Sequence, residues 1–330
     1  MKKIKLLYIF LSLIFLFAFT YFGIGMYIAY DILKIDHSCG AHTGSQPNNW
    51  STKLDYSNYP SLTSQKLRRD FDSSKYYINQ WQEVYFPSRD KNIQISGWLF
   101  NFFENRPIVI VVHGLFPNGK CKPESNLIVS LLIKNKINAL SIDLRNYGQS
   151  TIVSEYENLG LSEYRDVLGA YDFLKQINFN DDEIGLLGIS LGASTVIFAA
   201  KNESRIKAIW SESSLAEFKT ILHDEISRYG VPHDFGLAVS LSGKILTGID
   251  PTKLSPIYSL TNKQNYFFTH GANDTRIPKH HFELIKTHSL NNNINAEYWL
   301  VENAHHVDSM LMYPEEYGRR MKNFFEKNLK

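Results

Sequence analysis

A Gly-x-Ser-x-Gly pentapeptide between an apolar stretch and a helix-like stretch constrains the fold of this chain more than any other feature. Its defining residues are Gly188, Ser190 and Gly192, with residues 184–189 before the turn and residues 193–201 after it. A strand, a sharp turn and a helix in this order hold a serine on a strained corner with its hydroxyl exposed. Glycine on each side keeps the turn uncrowded. The pattern indicates a nucleophilic serine, although an ordinary glycine-rich turn has the same signature.

Strand-like and helix-like stretches alternate along most of the 330 residues. Strands are predicted at residues 83–86, 93–100, 108–112, 138–142, 184–189, 208–210, 266–269 and 296–301, and helices at 124–134, 161–176, 193–201, 279–287 and 314–328. This alternation predicts an α/β fold with a mostly parallel central sheet and helices on both faces. Residues 215–260 interrupt the alternation and predict a small helical cap.

The composition is that of a globular protein, with 44% apolar and 21% charged residues. The net charge of +2 gives no indication of a nucleic-acid partner or of a strongly acidic substrate. Residues 36–80 are polar and contain turn signals, so we expect a linker and lead-in to a domain at 81–330. The two cysteines, Cys39 and Cys121, are too few for a disulfide scaffold. Export would permit them to pair, but two unpaired cysteines are expected.

The N-terminus predicts a membrane anchor over residues 1–35. Three lysines within the first five residues precede an uncharged run at residues 6–30. As a helix this run would extend about 38 Å, enough to cross a hydrocarbon core of about 30 Å. Lysines before the run predict a cytoplasmic N-terminus and an exported domain. The alternatives are a cleaved signal peptide, whose nearest small-x-small site is Gly23-Ile24-Gly25, and a buried globular helix.

The compartment beyond the membrane is predicted from three Asn-x-Ser/Thr triplets, which begin at Asn49, Asn202 and Asn273. A glycan on the last of them would lie beside Asp274, a candidate catalytic residue. A glycosylating secretory pathway is therefore less plausible than a bacterial envelope. We expect a single-pass membrane protein whose catalytic domain lies outside the cytoplasm.

Candidate catalytic side chains follow three of the predicted strands. Ser190 follows one, Asp274 follows the next-to-last and His306 follows the last. A lone aspartate or histidine in a loop is usually structural, but this order of serine, acid and histidine is the one that a Ser-Asp-His hydrolase uses in an α/β sheet. The loop after the third strand begins His113-Gly114, and such a loop can present backbone N–H groups to an anion.

These motifs resemble the α/β-hydrolase superfamily, and in particular small-capped serine hydrolases with His-Gly-x-x-x-Asn after the third strand, here residues 113–118. The resemblance covers about residues 81–329 and includes residues 143–150, similar to an Asp-x-Arg-x-x-Gly-x-Ser loop. It implies an α/β-hydrolase fold with a cap at about 215–260. Two positions depart from the family pattern: His305, where a small residue is usual, and Asn146, where many relatives have glycine.

The resemblance assigns a role to each candidate. It implies Ser190 as nucleophile, Asp274 as acid, His306 as base, and the N–H groups of Leu115 and Leu191 as the oxyanion hole. Such an enzyme cleaves a carboxylic ester through an acyl-enzyme and needs no cofactor. Cap side chains could line an acyl pocket or pack the cap's own core; the candidates are Phe218, Ile221, Leu222, Ile226, Tyr229 and Phe235.

The expected substrate is a small-molecule ester or a lipid-like molecule. A peptidase or amidase of the prolyl-oligopeptidase-like type is the alternative, because the same triad cleaves amides. An inactive binding module on the same fold is a further alternative. No metal site is expected: His280 and His281 are adjacent rather than four residues apart, which favours a solvated helix start.

Overall fold

The computed structural model describes residues 2–35, 45–53, 57, 59, 61–115 and 119–330. In this part of the chain eight strands form one sheet in the order β1-β2-β4-β3-β5-β6-β7-β8. The strands are β1 (Gln82–Pro87), β2 (Gln94–Phe100), β3 (Ile108–Val112), β4 (Asn138–Ile142), β5 (Ile184–Ile189), β6 (Ala208–Glu212), β7 (Asn265–Gly271) and β8 (Asn295–Val301). β2 pairs antiparallel with β1 and β4, and every other pairing is parallel. The predicted mostly parallel sheet is confirmed.

Ten α-helices connect and cover the strands in the described residues. They are α1 (Lys2–Leu33), α2 (Leu62–Asp70), α3 (Pro123–Lys134), α4 (Tyr164–Gln176), α5 (Leu191–Asn202), α6 (Phe218–Arg228), α7 (Gly236–Thr247), α8 (His280–Asn291), α9 (Ser309–Met312) and α10 (Pro314–Asn328). Short 3₁₀ helices lie at Ser73–Tyr76, Asp181–Glu183, His233–Phe235, Pro251–Lys253 and Pro256–Ser259.

The central strand β3 shows why both faces of the sheet are covered. All five of its side chains are buried, and they alternate between two apolar clusters. Ile108, Ile110 and Val112 belong to the cluster that includes side chains of α4, α5 and α8, whereas Val109 and Val111 belong to the cluster that includes side chains of α3 and α10. A strand buried on both faces must be apolar at every position, which is how this strand could be recognised in the sequence.

The segment before β1 is packed on the domain. Trp50 is fully buried, and Arg68 of α2 is buried between two carboxylates: Glu124 at 2.6 Å and Asp308 at 3.1 Å. The guanidinium also lies 3.5 Å from the centre of the Tyr59 ring. Residues 45–53 and 61–80 are therefore a folded lead-in rather than a free linker. One charged residue of this polar stretch, Arg68, thus makes its ionic contacts inside the protein.

One of the two cysteines can be described. Cys121 is disulfide-bonded, which contradicts the expectation of unpaired cysteines. The other cysteine, Cys39, lies outside the described residues. Spacing along the chain carries no information about distance between cysteines, so this bond could not be predicted from the sequence.

Helix α1 is long and apolar enough to cross a membrane. Its second half, however, packs against the helices between β6 and β7, which are α6 and α7 of the cap. Ile28, Ala29 and Leu33 are buried there against Ile226 and Val239. The helix therefore contacts the domain that contains the sheet directly, before the polar segment that follows it begins.

Candidate active site

Ser190 lies on a strained turn between β5 and α5. Its φ of 54° and ψ of −111° are rarely adopted by a residue with a side chain. A Cβ on Gly188 would overlap the carbonyl oxygen of Gly192, and a Cβ on Gly192 would overlap that of Val112. Both flanking glycines are therefore required sterically. The turn holds the serine hydroxyl at the carboxyl edge of the sheet.

Ser190, His306 and Asp274 form a chain of hydrogen bonds. The Ser190 Oγ lies 2.9 Å from His306 Nε2, and His306 Nδ1 lies 2.7 Å from Asp274 Oδ2. A carboxylate only accepts, so His306 Nδ1–H donates to it and leaves Nε2 able to accept the serine proton. The structure thus brings together three side chains that are distant in the sequence: Asp274 comes 84 residues after Ser190, and His306 comes 32 residues after Asp274.

Asp274 is held as a buried anion. Burial by itself raises the pKa of this carboxyl, but the charge and hydrogen bond of His306, the charge effect of His270 and the Ile277 N–H bring it below the usual value. Asp274 Oδ1 also accepts the N–H groups of Arg276 and Ile277, both at 2.8 Å. An anion fixed in this way orients the imidazole and stabilises its protonated form.

Leu115 and Leu191 both line the cavity at Ser190. Leu191 is the first residue of α5, so its N–H has no partner inside that helix. His113 Nδ1 lies 2.7 Å from Gly114 O, and its Nε2 accepts the Leu144 N–H at 3.1 Å. The Nδ1–H therefore donates to the Gly114 carbonyl. Because C=O and N–H point opposite ways across a trans peptide, this bond turns the Leu115 N–H away from His113.

The same loop is held from its other side by a cation. Lys122 Nζ donates to the Leu115 carbonyl at 2.6 Å, and Lys122 also lines the cavity. Burial lowers the pKa of His113 to about 4, so the ring stays neutral and keeps its donor on Nδ1. Residues 116–118, which include the asparagine of the expected His-Gly-x-x-x-Asn motif, lie outside the described residues.

The Asp-x-Arg-x-x-Gly-x-Ser loop supports the fold near the site. Arg145 forms a buried ion pair with Asp166 at 2.7 Å. Asn146, where many relatives have glycine, has a φ of 69° in the left-handed region. Asparagine tolerates this conformation better than most residues. Its Oδ1 accepts the N–H groups of Val153 and Ser154, so the departure from the family pattern keeps the loop intact.

The site opens into a cavity of about 960 Å³ between the sheet edge and the cap. Of the six cap side chains considered from the sequence, Phe218, Ile221 and Leu222 line it. The others do not: Ile226 and Tyr229 pack against α1, and the ring of Phe235 lies 4.9 Å from that of Tyr21.

Sequence reasoning missed one wall of this cavity. Ala29, Ile32 and Leu33 of α1 line it together with Ser190 and His306. The signal in the sequence is the pair Gly25 and Ala29, two small residues four positions apart in an apolar helix. Such spacing allows close helix packing in membranes and in proteins. Tyr59 of the lead-in segment lines the cavity as well.

His280 and His281 do not form a solvated helix start, contrary to the expectation. His281 is fully buried, and with His280 and Asp224 it places three ligand atoms within 4.8 Å of one another. The Ala216 N–H donates to His281 Nδ1 at 2.9 Å, so the ring proton is on Nε2 and faces Asp224 at 3.0 Å. A metal at Nε2 would need the proton on Nδ1, against the Ala216 N–H. This trio therefore fits a hydrogen-bonded anchor of the cap and not a cation site.

Residues 144–330, more than half of the chain, match the prolyl oligopeptidase family. The chain belongs to the prolyl oligopeptidase family. The matched part of the chain contains Ser190, Asp274 and His306 and the whole Gly-x-Ser-x-Gly turn. It is a serine hydrolase of the esterase or peptidase type, with an α/β-hydrolase fold.

The proteins that this chain resembles are named for different activities. It is 31% identical over 138 residues to thiohydrolase aneE of Aspergillus aculeatus, and the match spans 42% of each chain. A solved esterase of Pyrococcus furiosus superposes with a TM-score of 0.65 at 20% identity, covering 90% of this chain and 99% of that one. The acylaminoacyl peptidase of Pyrococcus horikoshii gives a TM-score of 0.58 at 20% identity, covering 76% of this chain and 42% of that one. At these identities the two structures show the shared fold.

Proposed function

We propose that this chain is a membrane-anchored serine esterase in which Ser190 is the nucleophile, His306 the general base and Asp274 the acid that orients it. The observation that carries the proposal is the hydrogen-bonded chain through His306, with 2.9 Å on the serine side and 2.7 Å on the aspartate side. A serine hydroxyl becomes an effective nucleophile only when a neighbouring base takes its proton.

The reaction proceeds in two halves. Ser190 Oγ attacks the ester carbonyl carbon while its proton passes to His306 Nε2. The N–H groups of Leu115 and Leu191 stabilise the oxyanion of the tetrahedral intermediate, which is often the largest contribution to such catalysis. His306 then protonates the departing alcohol, leaving an acyl-enzyme. Water attacks that acyl group with His306 again as base, and the acid is released with Ser190 restored.

The charges around the cavity favour an ester over a peptide. A peptidase that recognises a free amino terminus needs a carboxylate available to bind it. Three carboxylates line the cavity, and each already has partners: Glu124 with Arg68, Glu225 with Arg276, and Asp224 with the imidazoles of His280 and His281. Removing one partner of a buried ion pair is costly, so a peptide amine gains little by competing for them.

The peptidase alternative is supported by the family name and by the shared triad, and the thiohydrolase relative supports thioesters. A matched panel separates these activities: nitrophenyl butyrate, a butyryl thioester and butyryl nitroanilide, each with wild type and Ser190→Ala. We expect turnover of the ester and the thioester, with the anilide at least about 100-fold slower because its amine is a poorer leaving group. An anilide that is cleaved as fast as the ester would favour a peptidase. No turnover and no acylation would favour a binding module.

We further propose that α1 spans the membrane with its N-terminus in the cytoplasm and Ser190 outside. Lysines before the apolar run support this orientation. The disulfide at Cys121 supports an oxidising compartment for the domain. Protease added to intact cells, or to spheroplasts where an outer membrane exists, should digest or release the domain. Full protection until the cells are broken would place the active site in the cytoplasm.

A further inference from the structure

Helix α7 of the cap has two dissimilar faces. One face, with Ala238 and Gly243, packs against α1. The opposite face presents Leu237, Leu241 and Ile245, which are spaced four residues apart and are 62%, 41% and 73% exposed. Positions at this spacing lie on one side of a helix. The protein thus has an apolar stripe, here called the α7 stripe, beside a helix that is itself apolar.

The length of α1 determines how near the cap lies to the membrane. Contacts with the cap begin at Tyr21, whose hydroxyl donates to Asp234 O at 2.6 Å. The apolar helix recognised as a candidate span begins at Ile4, and the part from there to residue 20 extends only about 26 Å. A hydrocarbon core is about 30 Å thick. No spacer therefore holds the domain away from the bilayer.

The contacts along α1 also give the direction of α7. Tyr21 contacts Phe235, Gly25 lies against Ala238, and the Leu33 side chain lies near Gly243. The two helices thus run in the same sense, and the first turns of α7 are nearest the membrane. A span shorter than the hydrocarbon core can be accommodated by local thinning of the bilayer. With such thinning His233 and Asp234, which are exposed just before α7, would lie at the level of the lipid headgroups.

The same two helices form a wall of the active-site cavity. Ala29 and Leu33 of α1 and Val239 and Gly243 of α7 line it, together with Ser190. Helix α1, the candidate span, and α7 thus both contribute to the apolar wall of the cavity that contains the nucleophile.

We propose that α7 docks on the bilayer that holds α1, through the α7 stripe, and that the cavity receives the acyl chain of a membrane lipid whose ester carbonyl reaches Ser190. This inference rests on the proposed function and names its substrate class. The occupant of the α7 stripe is lipid because contacts between α1 and the cap begin at Tyr21, so the stripe starts at the end of α7 that lies nearest the membrane. Exposed apolar side chains of a helix bind a membrane at the boundary between headgroups and acyl chains.

The docking is tested without reference to activity. The full-length protein is placed in phosphatidylcholine nanodiscs that contain a photoactivatable acyl phosphatidylcholine, and labelled peptides are mapped by mass spectrometry. We expect label on α1 and on residues 237–245. Leu62 of α2 and Leu290 of α8, which are 82% and 63% exposed, should remain unlabelled. Label confined to α1 would overturn the docking, as would cross-links between α7 helices of two copies.

The substrate class is tested with matched variants. The double variant Leu237→Asp with Leu241→Asp places two charges on the α7 stripe, and Leu62→Asp with Leu290→Asp places two charges on apolar positions elsewhere. For a long-chain monoacylglycerol in vesicles, kcat/KM should fall at least about tenfold, equivalent to about 1.4 kcal/mol, in the double variant of the α7 stripe and not in the control double variant. Hydrolysis of soluble nitrophenyl butyrate should change by less than about twofold in both pairs.

The outcomes separate the two levels of proposal. Wild-type protein that hydrolyses butyrate but no vesicle lipid would overturn the substrate class and leave the serine esterase standing. Equal effects of both variant pairs on the vesicle lipid would overturn the role of the α7 stripe. Wild-type protein that hydrolyses neither ester would contradict the proposed function, while the photolabelling still decides whether α7 docks.

Discussion

Gly25 of α1 lies so close to Ala238 of α7 that a Cβ at residue 25 would come within 2.5 Å of the Ala238 Cβ. The absence of a side chain at this point is what allows the two helices to approach. Four residues further along α1, Ala29 is buried at the same interface and also lines the active-site cavity. One helix thus serves as candidate anchor and as cavity wall.

We therefore predict that Gly25→Leu separates α1 from α7 and that Gly23→Leu does not. A side chain on Gly23 meets nothing within 4 Å, so it is a matched control in the same helix. Overpacking of this kind costs about 1–3 kcal/mol. In the same detergent, the thermal midpoint should fall in Gly25→Leu and stay near wild type in Gly23→Leu. Equal midpoints would show that the contact between α1 and α7 does not contribute to stability.

The proximity of the three candidate catalytic residues could be predicted from the sequence because each of them follows a strand of the sheet. Parallel strands of one sheet end at the same edge, so Ser190, Asp274 and His306 had to lie near one another once the strands were recognised. The observed bounds of the central strands β3, β4 and β5 agree with the predicted ones, since complete burial makes these strands mostly apolar; β4 contains two polar residues, Asn138 and Ser141.

Contacts between distant segments could not be predicted in this way. Arg68 lies in a stretch whose polar composition indicated a linker, yet it is fully buried because two distant carboxylates meet it. The apolar run of α1 indicated a span and gave no sign that its second half packs on the cap. In both cases the partner is fixed by the tertiary structure and not by neighbouring sequence.

The two adjacent histidines should differ sharply in function. His306 contacts Ser190 and Asp274, whereas His305 Nε2 lies 2.8 Å from the Ser61 hydroxyl at the start of α2. His306→Ala should lower kcat by about 10⁴-fold or more. His305→Ala should retain most activity and lose some stability, because α2 loses one of the contacts that hold it. Rates on nitrophenyl butyrate and thermal midpoints check both statements, and the reverse pattern would move the base by one position.

His113 is predicted to act through the Leu115 backbone. With His113→Leu the Gly114 carbonyl loses the donor that holds it, so the Leu115 N–H no longer has a fixed direction. Loss of one oxyanion donor costs about 10²–10³ in kcat. We expect that loss with KM nearly unchanged and with Ser190 still present at the same position. A rise in KM alone would show that His113 shapes the cavity and not the oxyanion hole.

Glu212, at the end of β6, should make stability depend on pH. Burial raises the pKa of this carboxyl from 4.5 to about 7, despite hydrogen bonds from Tyr317 and Ser213 and with a further contribution from the Asp274 charge. The folded state therefore binds the proton more tightly than the unfolded state. The stability from this group is complete below pH 4.5 and is lost as the pH rises through 7.

Glu212→Gln keeps an acceptor for the Tyr317 hydroxyl and removes the titration. Relative to wild type, its free energy of unfolding should rise between pH 5 and pH 8, by up to about 3 kcal/mol. Urea unfolding at these two pH values measures it, with Glu104→Gln, an exposed glutamate, as the control. A difference that stays constant with pH would mean that Glu212 has the same affinity for protons in both states.

The most direct test of the account is covalent labelling of the serine. A membrane-impermeant fluorophosphonate is applied to intact cells, or to spheroplasts where an outer membrane exists, and the modified peptide is identified by mass spectrometry. We predict label on Ser190 in the wild type and in His305→Ala, with none in Ser190→Ala and about 10³-fold slower labelling in His306→Ala. Label on another residue, or undiminished labelling of Ser190→Ala, would contradict the account.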